Sequence, residues 1–239
     1  MRIAIVTDIH GNLTAFEAVL ADLRHKAPDL IVQGGDLAHA GANPAEVVDR
    51  IRDLGWAGVL GNTDEMLFDL GPLREFASQS AQVQPLLPLI EAMAVATSEA
   101  LGEERLAWLR SLPLEWTQDE IGLVHASPKS LWRAPYPEAA DSDLESVYRP
   151  LAKALAIYGH VHRSYIRSLP GMTVANTGSV SLSHDGDPRS SYLLIDDGVP
   201  SIQRVEYDVE RERTALSTSG FPHWEWTAKM LAAARPQMP

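Results

Sequence analysis

Short apolar runs alternate with amphipathic stretches through the first two-thirds of the chain. Ile3–Thr7, Leu30–Gln33, Ala57–Leu60, Ile121–Val124 and Leu155–Tyr158 are too short for helices, and their pattern predicts buried strands. Behind Asn12, a natural N-cap, Leu13, Phe16, Leu20 and Leu23 recur at helical spacing. Asn43-Pro44 opens a second helix with Pro44 at its first position and Val47, Ile51 and Leu54 on the inner face. Leu101, Trp108, Leu109 and Leu112 predict a third, ended by Pro113.

The last third changes period. Tyr165–Ser168, Thr173–Asn176, Ser191–Ile195 and Ile202–Tyr207 read as strands divided by Gly, Pro and Asp turns, among them the hairpin turn Asp196-Asp197-Gly198. Two helical segments follow, Val209–Ser217 and Trp224–Ala234. A βαβαβ front half and a β-rich back half predict an α/β fold: two sheets face to face in a β-sandwich, flanked by helices. No repeat, low-complexity tract or linker interrupts the pattern. Residues 1–239 are therefore expected to form one domain, with helices at about 209–235 packed on it.

Composition narrows the chemistry. The chain is 45% hydrophobic and 22% charged, enough for a core. It has no cysteine, which excludes disulfides, Cys-ligated zinc, iron–sulfur clusters and thiol nucleophiles and leaves His, Asp, Glu and Asn as metal ligands. A net charge of −12 argues against a nucleic-acid polymer as partner. A small phosphorylated substrate remains compatible if bound cations reverse the local field. The most apolar stretch, Leu86 to Leu101, is broken by Pro88, Glu91 and Glu99, and the N-terminus lacks the long apolar core of a signal peptide. No membrane partner and a cytoplasmic location are expected.

The polar motifs fall where the predicted strands end. Asp8-Ile9-His10, Gly34-Gly35-Asp36, Gly61-Asn62-Thr63-Asp64, His125-Ala126-Ser127 and Gly159-His160-Val161-His162 each follow one apolar run. In open α/β sheets, ligands bind beyond the strand carboxyl ends. Singly, each motif has an ordinary reading: Asp8 a helix cap, His125 a core imidazole, His160 and His162 an exposed pair. Independent capping and packing give no reason for the same pattern at five strand ends. Two carboxylates, one amide and four imidazoles are too many for a tetrahedral zinc and suit two dications of higher coordination. Such a pair, held roughly 3.5–4 Å apart by a shared carboxylate, can clamp an in-line displacement at phosphorus.

In this order the five blocks resemble those of the calcineurin-like metallophosphoesterases. Asn176-Thr177-Gly178-Ser179-Val180, Asp185-Gly186-Asp187-Pro188-Arg189 and Tyr207-Asp208-Val209 are similar to the small bacterial and archaeal phosphodiesterase branch. The resemblance implies one metal on Asp8, His10 and His162, a second on Asn62, His125 and His160, and Asp36 as the bridge. It implies a metal-bridging hydroxide as nucleophile, and Mn²⁺, Fe, Zn²⁺, Co²⁺ or Ni²⁺ as the ions. A phosphodiesterase is the first expectation and a dinucleoside polyphosphate pyrophosphohydrolase the second, so that a nucleotide is among the small phosphorylated substrates. A catalytically silent protein-binding scaffold would be expected to lose ligands, and here every position is filled. A homodimer, common among such proteins, is left open.

Two departures shape the expectation. Many family members carry a leaving-group acid where this chain has Thr63, so the role is vacant or is filled by His39, by Asp64 or by water, and good leaving groups are expected. Ala40 stands where the protein phosphatases of the family carry an Arg for gripping phosphate, which argues against that role. Asn12 is expected to cap a helix, contact phosphate, or do both; Thr63 is the other expected substrate contact. Trp132, Arg133 and Tyr136 either meet the substrate or pack. Trp224, Trp226, Met230 and Leu231 read as a packing helix, and His25, His184 and His223 as surface residues.

Overall fold

Side-chain alternation within single strands sets the layering. A computed structural model describes residues 1–239. In β1 (Arg2–Val6), Ile3 and Ile5 join a cluster shared with the second sheet, whereas Ala4 and Val6 join the cluster under the helices. Along the first half follow α1 (Leu13–Lys26), β2 (Leu30–Gln33), α2 (Pro44–Asp53), β3 (Ala57–Gly58), α3 (Asn62–Glu65), α4 (Gly71–Ser78) and α5 (Leu87–Arg110). Phe16, Val19, Leu20 and Leu23 of α1 and Val47, Val48 and Ile51 of α2 are buried against Ala4 and Val6.

The second sheet repeats this logic. It begins with β4 (Glu115–Gln118) and β5 (Ile121–Val124), then α6 (Asp141–Tyr148), β6 (Leu155–Tyr158), β7 (Tyr165–Leu169) and β8 (Met172–Asn176). Ile121, Leu123, Leu155 and Ile157 face the first sheet; Val124, Ala156 and Tyr158 face Leu144 and Tyr148 of α6. The chain then returns through β9 (Ser190–Asp196) and β10 (Val199–Val205) and ends in α7 (Val209–Thr218) and α8 (Trp224–Ala233).

The strand orders are β10-β9-β1-β2-β3 and β4-β5-β6-β8-β7. Each holds three parallel strands: β1, β2 and β3, with β3 at the edge and antiparallel β9 beside β1, and β5, β6 and β8, flanked by antiparallel β4 and β7. The layers are helices, sheet, sheet, helix. Five of the parallel strands, β1, β2, β3, β5 and β6, end at the five polar motifs.

Several expectations shift. The third run gives only the two-residue β3, because from Val59 the chain bends toward Pro113, whose carbonyl accepts from Leu60 N–H. The helix expected from Leu101 is the second half of α5, which breaks at Gly102 (φ 67°, ψ 167°). The last strand runs Val199–Val205 rather than Ile202–Tyr207, its start set by the tight turn at Asp197 (φ 48°) and Gly198 (φ 83°). The pattern missed α4, α6 and β4. No helix is long and apolar enough to cross a membrane.

Candidate metal centre

Turns at the strand ends bring the seven expected ligands together, Asp8, His10, Asp36 and His162 within mutual reach and Asn62, His125 and His160 as a second group beside them. Asp8, His10, Asp36, Asn62, His125 and His162 are all buried. Ligand atoms of Asp8, His10, Asp36 and His162 lie within 4.8 Å of one another. His162 Nε2 is 3.1 Å from Asp8 Oδ1 and 3.2 Å from His10 Nε2. Beside them, Asn62 Oδ1 sits 2.9 Å from both His125 Nε2 and His160 Nδ1. Asp36 stands between the groups, Oδ1 3.4 Å from His125 Nε2 and Oδ2 3.8 Å from His10 Nε2.

The backbone selects the imidazole tautomers. A carbonyl can only accept, so His39 O at 3.0 Å fixes the proton of His10 on Nδ1. Leu182 O does the same for His162 at 2.6 Å, and Gly34 O for His125 at 2.9 Å. Each of the three therefore turns Nε2 inward, the nitrogen whose lone pair a metal binds once no proton occupies it. Two such lone pairs, on His10 and His162, face each other at 3.2 Å. That contact is repulsive unless a proton or a cation lies between them, so the donor set fits a metal.

Charge within the bare cluster points the same way. Burial works against ionised Asp36, yet His125, His10 and His160 hold its carboxyl below the usual range. Burial likewise disfavours the His125 imidazolium, but the Asp36 carboxylate lifts it to about 9. His160 is pushed down to about 4 by burial and by the charge on His125. One protonated imidazole thus occupies the role of a cation among buried carboxylates.

Close approach dictates two glycines. A Cβ on Gly159 would lie 2.4 Å from Asp8 Oδ2, and one on Gly61 2.2 Å from both the backbone N and Oδ1 of Asp36. Neither has positive φ; each lets a ligand carboxylate reach the neighbouring strand end.

The supporting residues divide by what their polar atoms touch. Asp64 is fully buried and accepts from Asp36 N at 2.8 Å and Leu37 N at 2.9 Å, so it braces the Asp36 turn rather than facing the crevice. Burial and the Asp36 charge push it up to about 7. Asn12 caps α1 through Ala15 N (2.8 Å) and donates to Ser181 Oγ (3.0 Å). The capping role is thus seen, and one amide N–H is left for a further contact. His39 and Thr63 line the crevice, and His39 Nδ1 and Thr63 Oγ1 are buried without partners. Burial and His10 push His39 down to about 3, which leaves it a neutral imidazole and a poor acid.

Residues outside the motifs also reach the site. His184, expected at the surface, stacks on His162 with ring centroids 4.6 Å apart, and its backbone N–H donates to His162 O. Its place in the loop after Asn176–Val180 was the only hint. Trp226 and Met230 line the crevice rather than only packing α8. Trp132 also lines it, whereas Tyr136 is exposed and Arg133 binds Gln79.

Comparison with known proteins agrees with this geometry. Residues 1–197 match the model of the calcineurin-like phosphoesterase superfamily domain. The uncharacterized protein MJ0912 of Methanocaldococcus jannaschii is 29% identical over 93% of this chain and 94% of its own. A symmetrical bis(5′-nucleosyl)-tetraphosphatase of Nitrosococcus oceani is 30% identical over 62% of this chain, but the match spans only 51% of that protein. The crystal structure of a metallophosphoesterase from Sphaerobacter thermophilus superposes with a TM-score of 0.81 at 26% identity, covering 98% of this chain and 100% of that one. Hypothetical protein PH1004 from Pyrococcus horikoshii OT3 has the same fold, with a TM-score of 0.83 at 19% identity over 99% of both chains.

Proposed function

Because the chain belongs to the calcineurin-like phosphoesterase superfamily, we propose that it is a phosphodiesterase dependent on two divalent metals. The observation that carries this reading is the inward set of Nε2 atoms on His10, His125 and His162 around the carboxylates of Asp8 and Asp36. Asp8, His10 and His162 would hold one ion, Asn62, His125 and His160 the other, and Asp36 both. Bound there, two dications supply Lewis acidity at the phosphoryl oxygens and lower the pKa of an attacking water.

The chain's own residues do the rest. Asp64 holds the Asp36 turn through two backbone N–H groups. To His39 Nδ1 and Thr63 Oγ1, buried beside the crevice without partners, we assign a bond to a phosphoryl or ester oxygen. Neither is an effective acid near neutral pH, so the leaving group departs largely unprotonated, and aryl diesters are favoured over alkyl monoesters.

The similarity to the tetraphosphatase favours a second reading, hydrolysis of a dinucleoside polyphosphate. One experiment orders the alternatives. The protein is stripped with chelator, Mn²⁺ is restored, and an aryl phosphodiester, an alkyl phosphomonoester and a dinucleoside tetraphosphate are followed. Metal-dependent turnover of the diester is expected to dominate. Faster turnover of the tetraphosphate would favour the second reading, and no turnover of any would favour a silent scaffold.

A further inference from the structure

Beside the metal-site cluster the crevice turns apolar. His10, His39, Asn62 and Thr63 form its polar side. Met66, Phe76, Met93, Trp132, Trp226 and Met230 wall the remainder, a cavity of about 240 Å³. The walls come from the turn after α3, from α4 and α5, from the loop after β5 and from α8. A phosphate on the metal-site residues would therefore direct one ester group into this space.

The walls state what that group is. No Lys or Arg lines the cavity, so further phosphates would meet no cationic side chain. The indole N–H groups are already used: Trp132 donates to Glu65 at 2.7 Å and Trp226 to the Gln237 carbonyl at 2.7 Å. The two rings offer carbon faces and no free donor. A nucleobase placed among them would bury most of its ring nitrogens and exocyclic groups against carbon, the polar side chains lying only on the edge next to the metal-site residues. Three flexible methionines and three aromatic rings instead suit an uncharged carbon framework of variable outline.

We propose that the site takes a phosphoester whose ester group is a compact apolar one, aryl or alkyl, seated between Trp132, Trp226 and the methionines. This substrate class rests on the phosphodiesterase reading above. Its test measures binding by calorimetry on the Zn²⁺-reconstituted chain, with phenylphosphonate, methylphosphonate and adenosine 5′-monophosphate as probes. Phenylphosphonate is expected to bind about tenfold or more tighter than methylphosphonate, as burial of a ring predicts. The adenosine ligand is expected to bind no tighter than methylphosphonate. Trp226→Ala should remove most of the phenyl advantage and Trp226→Phe restore it.

Equal binding of the phenyl and methyl compounds, or tightest binding of the nucleotide, would overturn the proposal. These comparisons are made on the unaltered chain, so they decide even if Trp226→Ala fails to fold. Failure of the underlying reading looks different: the phenyl preference persists while no phosphodiester is hydrolysed. Conversely, aryl diester turnover without a phenyl preference in binding would retain the phosphodiesterase and discard the apolar subsite.

Discussion

Five of the seven proposed ligands, Asp8, His10, Asp36, His160 and His162, have left-handed backbones with φ between 51° and 64°. Each such non-glycine conformation costs of order 1–3 kcal/mol and persists only where the surroundings impose it. Here it ends a strand abruptly and swings a ligand back over the sheet rim. The strain is concentrated on the chemistry, and Asp36 is its centre because its two oxygens face different imidazoles. Asp36→Asn is therefore expected to lower retained metal from about two ions per chain to below one, with each affinity reduced by more than about 100-fold. Single His→Gln variants should each lose about one ion. Elemental analysis after gel filtration reads both, and equal losses across all ligands would deny Asp36 a shared role. Thr63 supports a second prediction. Thr63→His places an imidazole at the crevice, and should raise alkyl-ester turnover relative to aryl-ester turnover by about 100-fold. An unchanged ratio would show that protonation of the leaving group does not limit the reaction.

Among the elements, α7 carries a local conflict. Glu212 is fully buried on it, and the Thr14 hydroxyl and the backbone N–H groups of Thr14 and Ala42 beside its carboxylate do not offset that burial. Burial raises its pKa above the ordinary value of 4.5. Between that value and the raised one, the unfolded chain has lost this proton while the folded chain keeps it, so stability falls as pH rises through the window. Glu212→Gln should thus stabilise the protein more at pH 8 than at pH 4. Thermal melts at both values check this, and a larger gain at pH 4 would reverse the assignment. Elements also mark where the sequence is readable. Asp8, Asp36 and His125 could be found because an apolar run that ends in a turn and a ligand is a local pattern. Trp226 and Met230 could not: apolar residues that wall a crevice and apolar residues that pack a helix have the same spacing, and only α8's docking separates them. His184 was hidden for a related reason, since its contact with His162 depends on how the loop before β9 folds back.

At the scale of the molecule, the site lies across the seam between the sheets. Asp8, His10, Asp36 and Asn62 follow strands of the first sheet, and His125, His160 and His162 follow strands of the second. Each proposed ion takes ligands from both. Around it the seam is held by direct bonds, such as Thr7 Oγ1 to Thr177 Oγ1 at 2.6 Å, and by the apolar layer of Ile3, Ile5, Leu123 and Ile157. Without cations the rim of that seam holds buried carboxylates opposite imidazoles whose lone pairs face one another. Metal binding to the folded state alone stabilises by about 2.7 kcal/mol per site at a free concentration 100 times Kd. For two sites in a chain of 239 residues, that corresponds to a rise in Tm of roughly 10–20 °C. The Tm should therefore climb by that amount when the chelator-treated protein is refilled. The gain should largely vanish in Asp36→Asn. Because the proposed ions would tie the two sheets, refilling should also slow amide exchange at the ends of β1 and β2 together with those of β5 and β6. Protection confined to one sheet would mean that the metals sit on one half of the sandwich and do not join it to the other.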